Sequence, residues 1–427
     1  MMKGRHADIA ILGGGLAGGL TALALAALRP DLRVLVIEAG QTCGGNHIWS
    51  FFDSDIAKED RWLVEPLLVA RWSSHSVRFA RGDRTLPIGY ASITGTQLDA
   101  VLDSVLPQGA ILRGCPVVAV GPGHAELADG RRIEAGAVID ARGAGHFPGL
   151  VGGWQKFVGQ RLRTGPHGIT APIIMDATVA QHDGYRFIYV LPLSDDTLFV
   201  EDTYYSSSPA IDRDRLAGRI ADYVRALGLA VDVMGEEQGC LPVVAGGDGE
   251  AFLNAGGQSG VARIGARAGL FHPLTSYSLP SAVTMALAIA RASSFAPEAL
   301  TALCEQAARQ HWRAGTYFRL LARMMFAAGP PDQRHRIFAR FYAQGEGLIA
   351  RFYAGRMTMW DRARLLIGKP PVPLRGAMAA LLGGGAPLAA LGAPDGSALP
   401  LDAQPPMRDI SVSASPPSAS LASGEPA

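Results

Sequence analysis

Two neighbouring carboxylates, Glu201 and Asp202, follow an apolar run, Leu198-Phe199-Val200. A carboxyl facing a hydrophobic cavity loses the water that stabilises its ionised form. Its pKa rises, and it keeps a proton to donate near neutral pH. Successive side chains on a strand point to opposite faces, so only one of the two reaches a given cavity. The alternative is a pair of surface carboxylates at a strand end. His47 and His272 are candidate proton acceptors or polar groups beside a cofactor; the plainer role is a histidine hydrogen-bonded to loop backbone. The ten histidines show no metal-ligand spacing, and Cys43, Cys115, Cys240 and Cys304 lie far apart. No metal site is indicated, and the thiols are expected to stay isolated and reduced.

A second constellation binds rather than reacts. Gly13-Gly14-Gly15-Leu16-Ala17-Gly18 fits G-x-G-x-x-G between a strand and a helix. Such glycines let backbone turn tightly and approach a pyrophosphate at the positive end of the helix. Glu38 stands 20 residues beyond Gly18, where a carboxylate can hold an adenosine ribose hydroxyl. FAD is favoured over NAD, because the fingerprint lies at the extreme N-terminus and two later strands end on glycines, near Gly143–Gly145 and at Gly265. Flavoprotein hydroxylases usually carry Gly-Asp at the later position, whereas this chain has Gly265-Ala266-Arg267. Arg267 either pairs with a flavin's negative charge or bridges elsewhere.

The elements that must position these residues are legible in outline. Asp8–Leu12 and Arg33–Ile37 are expected as strands flanking an Ala/Leu-rich helix, Leu16–Leu28, with almost no polar face. Strand signals recur from Val117 to Asp140 around an Asp129-Gly130 turn, then at Tyr185–Leu191, Thr197–Val200 and Val261–Ile264. A helix is expected over Leu279–Ser294 and further helices over 300–375. The fold class is α/β: a two-domain Rossmann-type flavoprotein with a mixed β-sheet substrate domain and C-terminal helices. Residues 1–80, 81–160 and 256–300 are assigned to the cofactor domain, and 161–255 to the substrate sheet. A basic helical region spans 301–382, and 383–427 reads as a disordered tail.

Hydrophobic residues make up 48% of the 427, and charged residues only 18%, which is greasy for a soluble enzyme. Yet no stretch offers the roughly 20 unbroken apolar residues of a membrane span. Lys3, Arg5 and His6 lead straight into a strand, without the pattern of a signal peptide. The net charge of +1 hides an asymmetry: from His311 to Arg375, twelve Lys and Arg face three Asp and Glu. That excess suits a solvated helical face, a nucleic-acid patch or a surface for anionic lipid.

Several segments are more specific. Gly44-Gly-Asn-His47-Ile-Trp49-Ser-Phe51, Leu191 through Glu201-Asp202 to Tyr205, Gly265 through His272 to Pro273, Glu346 through Gly355 to Thr358, and Gly368-Lys-Pro-Pro-Val-Pro373 together resemble the bacterial lycopene beta-cyclase family. The resemblance covers the chain except its tail. Ser276 departs from it, standing where a glycine is usual. The resemblance implies reduced FAD as cofactor, with NAD(P)H as the expected electron source, and lycopene converted through a one-ring intermediate to beta-carotene without net redox change. It also implies that Glu201 is the essential carboxylate. Trp49, Phe51 and Tyr204 are then candidate aromatics for stabilising a carbocation, or plain core. A bilayer-dissolved substrate makes the basic helices a candidate peripheral contact with the cytoplasmic membrane, and no nucleic acid is expected. The rival on the same architecture is an FAD-dependent monooxygenase or dehydrogenase using NAD(P)H on a hydrophobic isoprenoid.

Overall fold

The computed structural model describes residues 7–143, 146–255, 257–367 and 373–392. Strand β1 (Ala7–Leu12), helix α1 (Leu16–Leu28) and strand β2 (Val34–Ile37) form the expected βαβ start. With no polar face, α1 has to be covered on several sides. It packs on the sheet and against the helix Leu279–Ala290, which ends four residues before the expected Ser294. Strand β3 (Arg132–Asp140) runs parallel to β1, pairing Ile9 with Ala137, and the short strand Ala262–Arg263 joins β3 in parallel. Both glycine-ended strands therefore return to the fingerprint's layer. The hairpin turns at Gly130, whose φ of +84° suits a residue without a Cβ. The full sheet has seven strands.

A second, eight-stranded sheet is built mainly from long antiparallel strands. They are β4 (Leu150–Arg163), β5 (Tyr185–Pro192), β6 (Thr197–Ser206) and β7 (Asp232–Gly247), in the order β7-β4-β6-β5. One face is sealed by helix α2 (Arg213–Ala226), whose Leu216, Ile220 and Val224 pack on Val158, Leu198 and Val200. On the other face Phe187, Leu191, Phe199 and Tyr205 pack in one cluster with Tyr90 and the C-terminal Phe318, Phe338 and Phe352. A small three-stranded sheet, Ile48–Phe52 with Tyr90–Thr94 and Leu68–Trp72, contributes Phe52 and Tyr90 to that cluster.

Three expected boundaries move. The hairpin of His75–Phe79 and Gly82–Leu86 belongs to the eight-stranded sheet, not to the cofactor unit that residue 81 was to continue. Its pairing partner, Ile173–Asp176, lies about ninety residues downstream, which no local signal announces. Strand β4 runs unbroken through the expected break at 160–161. The tail does not begin at 383: Ala389–Ala390 pairs with β4, and Leu391 is fully buried, so its apolar side chain anchors the segment. Residues 144–145, 368–372 and 393–427, with Gly145, most of the Gly368–Pro373 motif and most of the expected tail, lie outside the described residues.

Candidate active site

Glu201 sits in the middle of β6, because the strand expected to stop at Val200 continues to Ser206. Alternation sends Leu198, Val200, Asp202 and Tyr204 towards α2, and Phe199, Glu201 and Thr203 to the opposite face. Across the ladder Glu201 faces Tyr189 on β5 and Gly159 on β4. Its carboxyl is surrounded by protein, although the residue as a whole is only partly buried. The Thr203 hydroxyl donates to its Oε1. Burial pushes the carboxyl up to about 7 against the lowering effect of Thr203, and the Asp202 charge adds to the rise. A substantial share of it therefore keeps a proton at neutral pH, where an ordinary carboxyl is fully ionised. Beyond Tyr189, the Tyr90 hydroxyl lies 2.8 Å from that of Tyr189 and 3.0 Å from that of Tyr277, extending a line of aromatic rings away from the carboxyl.

Asp202 drops out as an acid candidate. It is fully enclosed on the α2 face, where the Arg186 guanidinium donates to both of its oxygens at 2.7 and 3.0 Å. No substrate on the Glu201 face can reach it. Tyr204 shares that face, its hydroxyl 3.4 Å from Asp202, and so is structural as well. His272 also takes the plainer role. Its Nδ1 accepts from the backbone N–H groups of Leu274 and Thr275, and its ring lies against Phe318 and Phe352. Burial depresses it to about 3, so it is neutral and a poor proton acceptor. The same turn accounts for Ser276: its φ of +58° is the left-handed conformation in which glycine is unstrained, and its hydroxyl compensates by donating to the Pro242 carbonyl at 2.7 Å.

His47 stays near the carboxylates. Its Nδ1 lies 4.0 Å from Glu237 Oε2, and the Ile48 N–H donates to the same oxygen at 3.0 Å. Sequence reading missed Glu237, which is buried on β7 opposite Gly159. The only signal was a Glu-Glu pair between glycines, Gly235-Glu236-Glu237-Gln238-Gly239, and it means little until the strand register is known.

The glycine turn has the shape a pyrophosphate needs. Gly13 takes a φ of +93°, and a Cβ on Gly18 would lie 2.0 Å from the Gly13 carbonyl, so both positions demand glycine. A Cβ on Gly15 would instead enter open space at the α1 N-terminus, and the first turn of α1 carries no acidic residue of its own. Glu38 receives the N–H groups of Gly14 and Gly40 at 2.6 and 2.7 Å, which aims its carboxylate at the turn. Gly143 follows β3, and Gly265 (φ +64°) closes on Ala17 of α1. Arg267 donates to the Arg142 and Gly143 carbonyls and lies 3.5 Å from Asp140, tying these strand ends together. One loop joins the cradle to the carboxylates. The Gly44 N–H donates to the Gly14 carbonyl, and two residues on Asn46 donates to the Glu236 carbonyl.

The family model described as "Lycopene cyclase protein" matches residues 8–379. This chain belongs to the lycopene cyclase family. The lycopene beta-cyclase of Pseudescherichia vulneris is 45% identical to it, over 88% of this chain and 97% of its own length. That of Pantoea ananas is 42% identical, over 88% and 98%. Among solved structures, a mutant of the halogenase PltM in complex with FAD has the same fold: TM-score 0.52 at 13% identity, covering 82% of each chain. The chain is thus an enzyme of the lycopene-cyclase type.

Proposed function

We propose that this chain is a lycopene beta-cyclase, closing the linear ends of lycopene through gamma-carotene to beta-carotene with no net redox change. The observation that carries it is Glu201: a carboxylic acid kept protonated near neutral pH, on an aromatic-lined face, with no cation paired to it among the described residues. Such a group donates a proton to an alkene, a substrate with no polar handle to bind. Burial of the carboxyl keeps water from it, so a cation formed there is not quenched before the neighbouring double bond closes on it. Tyr189, paired with Glu201 across the ladder, and Phe199, two residues along the same face, are the aromatic groups nearest the acid in the sheet.

FAD would be held by Gly13, Gly15 and Gly18 at the α1 N-terminus, by Glu38 and by the strand ends at Gly143 and Gly265. When bound and reduced, with NAD(P)H as the electron source, it supplies anionic charge that stabilises a nearby cation. The Gly44–Ile48 loop, tied to Gly14 at one end and to Glu237 at the other, carries His47, whose ring lies 5.7 Å from that of Trp49.

No helix among the described residues is long and apolar enough to cross a membrane. Helix α3 (Met359–Leu366) instead exposes Met359 and Trp360, 75% and 85% accessible, with Ile367 at 70% just beyond and the exposed Arg356 and Arg364 alongside. Indole, thioether and guanidinium groups together suit the interface of an anionic bilayer, here the cytoplasmic membrane that holds the substrate. Changing Met359 and Trp360 to Ser should lower co-sedimentation with phosphatidylglycerol vesicles several-fold and leave the melting temperature in place. Equal sedimentation would remove this helix from the contact.

The activity test is direct. Flavin-loaded protein under reducing conditions, given lycopene in vesicles, should yield ring-containing products of unchanged mass. Products carrying extra oxygen or lacking hydrogen would replace the cyclase with an oxidoreductase.

A further inference from the structure

Glu201 is not the sole buried carboxyl on its face of the sheet. Gly159 on β4 stands opposite Glu201 on one side and opposite Glu237 on the other, so the two glutamates occupy one row with a glycine between them. Strand spacing puts their Cα atoms about 10 Å apart, and each side chain spans a good part of the gap. The floor between them is Gly159 and the edge of the Phe199 ring, which lies where a Cβ on Gly159 would be. Glu237 is only 5% exposed. The groups facing the pair are Thr203 and Tyr189 at Glu201, and the Ile48 N–H and His47 at Glu237. Arg161, one row along β4, has a buried Nε without a hydrogen-bond partner, and neither carboxylate forms a Lys or Arg ion pair among the described residues.

We propose that Glu237 is the proton acceptor of the reaction, and that it and Glu201 hold one proton between them in the working enzyme. This rests on the cyclase reading above. Glu201 gives its proton to the terminal alkene, forming a C–H bond. The π electrons of the neighbouring double bond form the ring C–C bond. A ring C–H bond then breaks, its electrons become the ring double bond, and the proton goes to Glu237. Its return across the Gly159 gap to Glu201 restores the starting state, and no oxidant or reductant is consumed. Physical chemistry favours the shared proton, because two carboxyls in a dry site ionise one at a time. Burial pushes Glu237 above the usual carboxylate range, and an ionised Glu201 pushes it further; while Glu201 keeps its proton that second push is absent, so the pair gives up its first proton from Glu237. The Ile48 N–H steadies the ionised form of Glu237, and half-exposed His47 connects it towards solvent.

Two measurements test the pair separately from the overall activity. Infrared titration of the substrate-free protein should resolve two coupled carboxyl steps. In Glu201→Gln, the remaining Glu237 step should move down by more than one pH unit from the upper wild-type step. An unmoved step would mean that the carboxyls are uncoupled and would overturn the proposal. With lycopene, flavin-loaded Glu237→Gln should lose about 100-fold in kcat and also lose the acid-side fall of the wild-type pH profile. Glu237→Asp should recover part of both. A Glu237→Gln enzyme with wild-type rate and profile would sink the acceptor role. If Glu237→Gln does not fold, Glu237→Asp against Glu201→Gln in the infrared titration decides the coupling. Wild-type protein that leaves lycopene unchanged while the titrations remain coupled would count against the cyclase reading, not against the pair.

Discussion

Glu201→Gln should abolish ring formation, lowering kcat at least about 1,000-fold, within the range for losing a general acid, while flavin content and melting temperature stay near wild type. Glutamine keeps the volume and can still accept from Thr203, so the recess should survive; only the transferable proton is lost. The pH dependence follows from the same group. Burial sets the Glu201 carboxyl at about 7, and the acid-competent form is the protonated one. The alkaline limb of the profile should therefore lie near pH 7, activity falling as the pH rises through it. Lycopene turnover by pigment chromatography, alongside flavin absorbance, measures both effects. A Gln variant retaining more than a tenth of wild-type activity, with flavin bound, would move the acid elsewhere.

What the sequence made legible was local. α1 spans the expected Leu16–Leu28, because an Ala/Leu-rich run between a glycine turn and Arg29-Pro30 has one way to fold. Gly13, Gly18 and Gly130 were readable because each occupies a turn or close approach that a Cβ would obstruct or strain. Glu201 stood out by its apolar approach, and strand alternation already required that Asp202 face away from it. Which of the two faced a cavity was not readable, since that depends on α2 covering one side of the sheet. Glu237 was hidden for a related reason. Thirty-six residues separate it from Glu201, and only the pairing of both strands with β4 brings them into one row. The hairpin at 75–86 was misplaced on the same ground: its parallel partner is distant in sequence, and parallel pairing leaves no turn to read.

Arg186→Met should destabilise the folded chain by about 3–5 kcal/mol, the usual result of stranding one member of a buried ion pair. Asp202 has no accessible surface, and Arg186 supplies both of its strongest hydrogen bonds while also donating to the Ala180 carbonyl. Removing the guanidinium leaves a carboxyl that must either stay charged without a partner or take up a proton. The double variant Arg186→Met with Asp202→Leu removes both charges, and much of the loss should be regained, because packed apolar groups can replace a buried pair at little cost. Urea denaturation of the three proteins, read through tyrosine and tryptophan fluorescence, gives the coupling; losses under 1 kcal/mol in the single variant would show the pair to be dispensable. The contrast with the row of Glu201 and Glu237 is the physical point. On the α2 face of β6 a buried carboxylate is matched by a cation and contributes rigidity. On the opposite face two carboxyls are left without one, so burial raises both and they hold protons towards neutral pH that an ordinary carboxylate would have lost. One strand thus carries neighbouring acidic residues with different fates, and what separates them is the sheet's alternation and the helix that covers only one side.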